Sequence, residues 1–111
     1  MTDDPVSPLQ SARDLLASVP DDPMQAVEQL SRAREAVDAA LDEAMARAAL
    51  EGASFRSVAS RAGLAPNSVA PRLARTAALS PYADPAGRVG STGVERARYD
   101  ADVAQRRFLR V

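Results

Sequence analysis

Apolar residues recur every three or four positions along most of this chain, a spacing typical of amphipathic helices. Ser7 and Pro8 predict the start of a first helix, because Ser caps helix N-termini and Pro suits the first helical position. Pro20 should end this helix. A second helix, predicted to begin after Asp22 and end near Leu50, has apolar positions at Val27, Leu30, Ala33, Val37, Leu41, Ala44 and Ala48.

The second half of the chain is predicted to hold shorter helices. Ser54 caps a helix that ends at Gly63, and the next helix starts between Pro66 and Val69 and runs to about Thr76. A last helix should begin near Ser91 or Thr92. Its apolar residues form a seven-residue repeat, which is expected either to join the core or to pair with a second chain: Val94, Ala97, Ala101, Ala104 and Phe108.

These elements predict an all-α fold, a helical bundle with a long central helix. The Pro- and Gly-rich stretch before the last helix is expected to be a loop, or a short β-hairpin or wing near 79–90. The expected organisation is a flexible N-terminus (1–6), an acidic helical pair (7–51), a helix-turn-helix (52–78), a loop or wing (79–93) and a C-terminal helix (92–111).

Charge is divided unevenly between the two halves of the sequence, although the formal net charge is only −1. Residues 1–51 hold eleven acidic residues and four Arg, whereas residues 52–111 hold ten Arg and four acidic residues. Between Gly52 and Ala83 there are four Arg and no acidic residue. A basic segment of this kind can neutralise phosphates, and the alternative is an ordinary solvated helix face. Asp38 and Asp42 on the long helix are expected to be solvated.

The composition argues against catalysis. The chain has no Cys and no His, which removes thiol and imidazole chemistry and most zinc sites. No nucleophile–base pair, metal cluster or phosphate-binding loop is evident, so we expect neither an enzyme nor a cofactor. The acidic N-terminus does not resemble a secretory signal and no apolar run is long enough to cross a membrane, so a cytoplasmic protein is expected.

The spacing Ala59-x3-Gly63-x5-Val69 fits a helix-turn-helix. Ala59 is small where a second helix must cross closely, and Gly63 accepts the backbone conformation of the turn. The stretch SFRSVASRAGLAPNSVAPRLAR, residues 54–75, resembles the helix-turn-helix segments of bacterial DNA-binding regulators. Its end is similar to the V-x-x-R-L-x-R ending of the promoter-reading helix of sigma factors. The resemblance covers only these 22 of the 111 residues.

The resemblance implies a sequence-specific contact with double-stranded DNA. Candidate contacts are Arg56, Ser57, Pro66, Asn67, Ser68, Arg72 and Arg75. Among these, Asn67 and Ser68 would read bases, and Arg56 and Ser57 would hold a backbone phosphate. Pro71 departs from the usual pattern, because a Pro inside the second helix must either shorten or kink it.

The function expected from these observations is that of a small bacterial transcriptional regulator that binds DNA as a homodimer. The alternative is a helical protein-interaction module, antitoxin-like or a sigma antagonist, whose acidic long helix binds a partner protein.

Overall fold

The computed structural model describes residues 7–109, and this part of the chain contains five α-helices, two 3₁₀ turns and no strand. The helices are α1 (Pro8–Ala17), α2 (Pro23–Leu50), α3 (Phe55–Ala62), α4 (Val69–Leu73) and α5 (Ser91–Leu109). The 3₁₀ turns are Pro66–Ser68 and Ser80–Tyr82. The all-α prediction is confirmed, while the alternative of a β-hairpin at 79–90 is wrong. The flexible N-terminus expected at 1–6 lies outside the described residues.

Side-chain caps start the first two helices where the sequence predicts them. The Ser7 hydroxyl accepts the Gln10 amide at 3.1 Å, and an Asp22 carboxylate oxygen accepts the Gln25 amide at 3.0 Å. Helix α1 ends at Ala17, before Pro20 is reached. The Gln29 side chain donates to the Leu15 and Ser18 carbonyls, both at 2.7 Å, and so satisfies groups that the end of a helix leaves unpaired.

The chain divides into two compact units at the Leu41–Asp42 bond, inside α2. The N-terminal unit contains α1 and the longer part of α2, and the C-terminal unit contains the last turns of α2 with α3, α4 and α5. The sequence had suggested a boundary at Gly52 instead. The last turns of α2 thus belong to the same unit as the helix-turn-helix region, and α1 belongs to the other unit.

The face of α2 that is buried differs from the predicted one. Of the predicted positions, Ala33 is buried, but Val27, Leu30, Val37 and Ala44 are exposed. The other buried residues of α2 lie outside the predicted repeat: Asp42, Met45, Ala46 and Ala49. Ala has almost no side chain to separate two backbones, so α2 packs largely through small residues, while Val27, Leu30 and Val37 remain at the surface. We refer to Val27, Leu30 and Val37, which lie along one side of α2, as the apolar stripe of α2.

The core of the C-terminal unit is built mainly from residues of the shorter elements. Its largest fully buried side chains are Val69, Leu73, Leu79 and Val89. The repeat predicted on α5 is divided: Val94 and Ala97 are buried, but Ala101, Ala104 and Phe108 are exposed. The first two residues therefore serve the core, and the other three are free for another surface.

A helix that crosses a bilayer must be both long and apolar. Within residues 7–109, no helix combines the two properties that crossing a bilayer requires.

Candidate nucleic-acid interface

Helices α3 and α4 are joined through a turn that the sequence explains. The Ser54 hydroxyl accepts the Ser57 amide at 3.1 Å and starts α3. Gly63 ends α3 in the left-handed region, at φ 71°, where a side chain would be strained. The Leu64 amide then donates to the Ala59 carbonyl at 2.9 Å. Ala59 is fully buried, which allows the two helices to approach closely.

The second helix of this motif is shorter than predicted. Residues 66–68 form a 3₁₀ turn and only Val69–Leu73 are α-helical. Pro71 has no amide hydrogen for the Asn67 carbonyl, so the α-helix cannot extend back to Asn67. Within α4 itself Pro71 lies in the first turn, where its amide would have no helical partner in any case. At the other end, the Thr76 hydroxyl donates to the Leu73 carbonyl at 2.7 Å and the helix stops there rather than at Thr76. Of the two alternatives for Pro71, the structure shows the shortened helix.

The predicted base and phosphate contacts near the turn are accessible. Arg56 and Ser57 are exposed in the first turn of α3, and Pro66 and Asn67 are exposed in the 3₁₀ turn, while Ser68 is half-buried. The same 66–73 segment buries Val69 and Leu73 completely. It therefore has an inner side that anchors it and an outer side that faces solvent.

The other two predicted contacts, Arg72 and Arg75, have a partner within the protein. Asp42, from the end of α2, accepts from Arg72 Nη1 through Oδ1 and from Arg75 Nη2 through Oδ2, both at 3.1 Å. The Asp42 side chain is only 10 % exposed, compared with 22 % for Arg72 and 63 % for Arg75. The expectation of a solvated Asp42 is wrong, because this carboxylate lies on the buried face of α2 between two guanidinium groups.

The segment before α5 is a tight loop, which we call the Asp84 loop (residues 83–90). One Asp84 carboxylate oxygen accepts the Ala86 amide at 2.9 Å and the Arg88 amide at 3.0 Å. The Asp84 amide donates to the Arg88 carbonyl at 2.8 Å, and Gly87 adopts a positive φ of 77°. The Asp84 side chain thus satisfies two backbone amides of a loop that has no strand partner.

The Asp84 loop contacts the 66–73 segment directly. The Val89 amide donates to the Ala70 carbonyl at 3.0 Å, and the Val89 side chain is fully buried. Arg88 Nη2 lies 3.4 Å from the Asn67 carbonyl oxygen. This loop therefore places an exposed guanidinium beside the 3₁₀ turn that carries Asn67.

A second contact holds the region just before this loop against α5. The Tyr82 hydroxyl donates to Asp100 Oδ2 at 2.6 Å. This hydrogen bond, with smaller contributions from desolvation and from the Asp100 charge, raises the pKa of the Tyr82 phenol above its usual value. The 3₁₀ turn Ser80–Tyr82 is thus fastened to the middle of α5.

The charge around the motif remains positive at its exposed positions. Among residues 7–109, no carboxylate oxygen lies within 4.0 Å of the guanidinium nitrogens of Arg56, Arg61 or Arg88, and all three side chains are exposed. Asp42 offsets the charge of Arg72 and Arg75 only. The absence of acids between Gly52 and Ala83 therefore overstates the positive charge of the motif, but the exposed arginines are still unopposed by a close carboxylate.

Sequence reasoning missed the roles of Asp42 and Arg88. A signal for Asp42 exists, because it follows the helical spacing of the buried residues Met45, Ala46 and Ala49. For Arg88 there is no local signal, since its neighbourhood depends on the contact between the Asp84 loop and a segment 21 residues away.

Comparisons with protein-family models, with curated proteins and with solved structures found no match to this chain.

Proposed function

We propose that this protein binds double-stranded DNA through the segment 66–73, as a small bacterial transcriptional regulator. The observation that supports this most is the two-sided character of that segment. Val69 and Leu73 are fully buried, while Pro66, Asn67 and Pro71 are exposed beside a tight glycine turn. A short helical element anchored in this way can enter the major groove, and an Asn side chain can pair bidentately with adenine.

The arginines divide into two roles. Arg56, at the exposed start of α3, is suited to a backbone phosphate, which a helix N-terminus also favours. Arg72 is mostly covered and bonded to Asp42, so its role is to hold α4 in place. Arg75 shares that carboxylate but is largely exposed, and it can reach a phosphate from its position after α4.

Substitution of Arg56 tests this proposal. We expect the wild type to bind a fluorescent duplex in anisotropy titrations, with an affinity that falls at least tenfold from 50 to 200 mM salt. Arg56→Gln should bind about 3- to 10-fold more weakly. Its salt slope, the magnitude of the slope of the logarithm of the binding constant against the logarithm of the salt concentration, should fall by about 0.9, the value for one lost phosphate contact. Arg13→Gln removes the same charge from exposed α1 and should behave like the wild type. Equal binding by both variants would contradict the assigned role of Arg56.

A homodimer is the assembly we propose for DNA binding. The 66–73 segment is short, so one copy offers a small contact, and two copies on two half-sites multiply the affinity. The apolar stripe of α2 supplies a surface for a second copy, because Val27, Leu30 and Val37 are large, exposed and on one side of a long helix. Full burial of one such side chain in an interface contributes about 1.5–3 kcal/mol of favourable hydrophobic free energy to association.

Sedimentation equilibrium tests the dimer. The wild type should sediment as a dimer, and Leu30→Glu should give a monomer, since a carboxylate would then be buried in the interface. Ala39→Glu adds the same charge to α2 at an exposed position off the stripe and should leave the dimer intact. A monomeric wild type at all concentrations would contradict the dimer. It would favour the second candidate function, in which the stripe and the acidic residues of α2 bind a different protein.

A further inference from the structure

We propose that Arg88 binds a DNA backbone phosphate beside the groove that receives the 66–73 segment. This inference rests on the proposed DNA binding and adds a contact from outside the helix-turn-helix. It assigns a function to the Asp84 loop, which takes the place of the hairpin or wing considered from the sequence.

The position of Arg88 follows from two contacts with one side of the 66–73 segment. The Val89 amide donates to the Ala70 carbonyl at 3.0 Å, and Arg88 Nη2 lies 3.4 Å from the Asn67 carbonyl. Residues three apart lie on the same side of a helical segment. Because Pro71 has no amide hydrogen to give to Asn67, the guanidinium of Arg88 lies next to a carbonyl that lacks its usual α-helical donor.

The loop holds Arg88 by its backbone rather than by its side chain. Its amide is bonded to the Asp84 carboxylate, and the following residue, Val89, is fully buried. The position of the Arg88 α-carbon is thus fixed relative to Asn67, while the guanidinium remains exposed at the surface. A fixed base with a long cationic side chain is suited to a partner that lies just beyond the protein surface.

A phosphate is the partner that this chemistry favours. Asp84 already binds the amides of Ala86 and Arg88, and the Gly87 amide donates to the Asp84 carbonyl. The loop therefore offers a ligand one exposed cation, Arg88, and no set of backbone donors. The present partner of the guanidinium is a neutral carbonyl at a long distance, and a hydrogen bond from Arg to an anionic oxygen is stronger.

The test compares three exposed-arginine variants of the full chain in anisotropy titrations with a labelled duplex at 50 to 200 mM salt. Arg88→Gln should bind about 3- to 10-fold more weakly at 50 mM and lower the salt slope by about 0.9. Arg88→Lys keeps the charge and should retain the slope, and Arg13→Gln should match the wild type. If the wild type binds and Arg88→Gln equals Arg13→Gln, the role of Arg88 is overturned while DNA binding stands. If the wild type shows no salt-dependent binding, both proposals are overturned.

Asp84→Ala separates a positioned Arg88 from a general effect of charge. This variant removes a negative charge, so general electrostatics alone would make DNA binding tighter. It also leaves the Ala86 and Arg88 amides without their acceptor, so Arg88 should no longer be held in place. DNA binding should then be about 2- to 5-fold weaker. Weaker binding by a variant with an unchanged helical circular dichroism spectrum supports the proposal, and equal or tighter binding contradicts the positioning by Asp84.

Discussion

Replacing Leu73 with Ala should lower the free energy of unfolding by about 2–5 kcal/mol, the usual cost of removing a large side chain from a closed core. Leu73 is 0 % exposed and lies on the inner side of α4. Because α4 has only five residues, it has few other contacts to hold it against α3. The loss should appear as a lower midpoint in urea denaturation with an unchanged slope.

The matched control for this prediction is Leu109→Ala. Leu109 is 72 % exposed on α5, so the same substitution should change the free energy of unfolding by less than about 0.5 kcal/mol. If the two variants unfold at the same urea concentration, Leu73 is not the anchor of α4 and the inner side of the 66–73 segment has been assigned wrongly.

The second large effect on the free energy of unfolding is expected from substitution of Asp42. Asp42→Asn removes the charge that holds Arg72 and Arg75 and should destabilise the protein by about 2 kcal/mol, below the 3–5 kcal/mol of a fully buried ion pair. The lower value follows from the exposure of the partners, because Arg75 is largely in solvent and contributes little. The loss of the Asp42 charge should therefore act mainly through the mostly covered Arg72.

Asp102→Asn provides the comparison for Asp42→Asn. Asp102 is paired with Arg106 at 3.0 Å, one turn along α5, but both side chains are mainly exposed. Such a pair contributes about 0.3–0.5 kcal/mol, so its loss should be barely measurable by denaturation. Comparable destabilisation by the two variants would show that the burial of Asp42 has no energetic consequence.

The local signals of the sequence were sufficient for most helix boundaries. The caps at Ser7, Asp22 and Ser54 and the left-handed turn at Gly63 each depend on residues within a few positions of one another. Such short-range hydrogen bonds and backbone preferences act wherever the segment lies in the fold. The starts of α1, α2 and α3 and the end of α3 were therefore predictable.

The buried face of α2 was predicted only in part, because the apolar repeat that includes the buried Ala33 also includes Val27 and Leu30, which are exposed. Ala46 and Ala49, which lie outside that repeat, are also buried. In an alanine-rich helix the preferred face is decided by how closely another backbone can approach, and that depends on the neighbouring element.

The candidate site was predicted in part for the same reason. Arg56, Pro66 and Asn67 are exposed as the motif implies, since they lie near one short turn. The pairing of Arg72 and Arg75 with Asp42 spans 30 and 33 residues, and the approach of Arg88 to Asn67 spans 21. These contacts depend on tertiary packing, which periodicity along the chain does not report.

Selection of binding sites from a pool of random duplex DNA by the full chain tests the central claim most directly. The account predicts enrichment of a defined sequence, arranged as an inverted repeat if two copies bind together, with an affinity that falls steeply as salt is raised. Failure to enrich any sequence, together with no measurable affinity for duplex DNA at low salt, would contradict it.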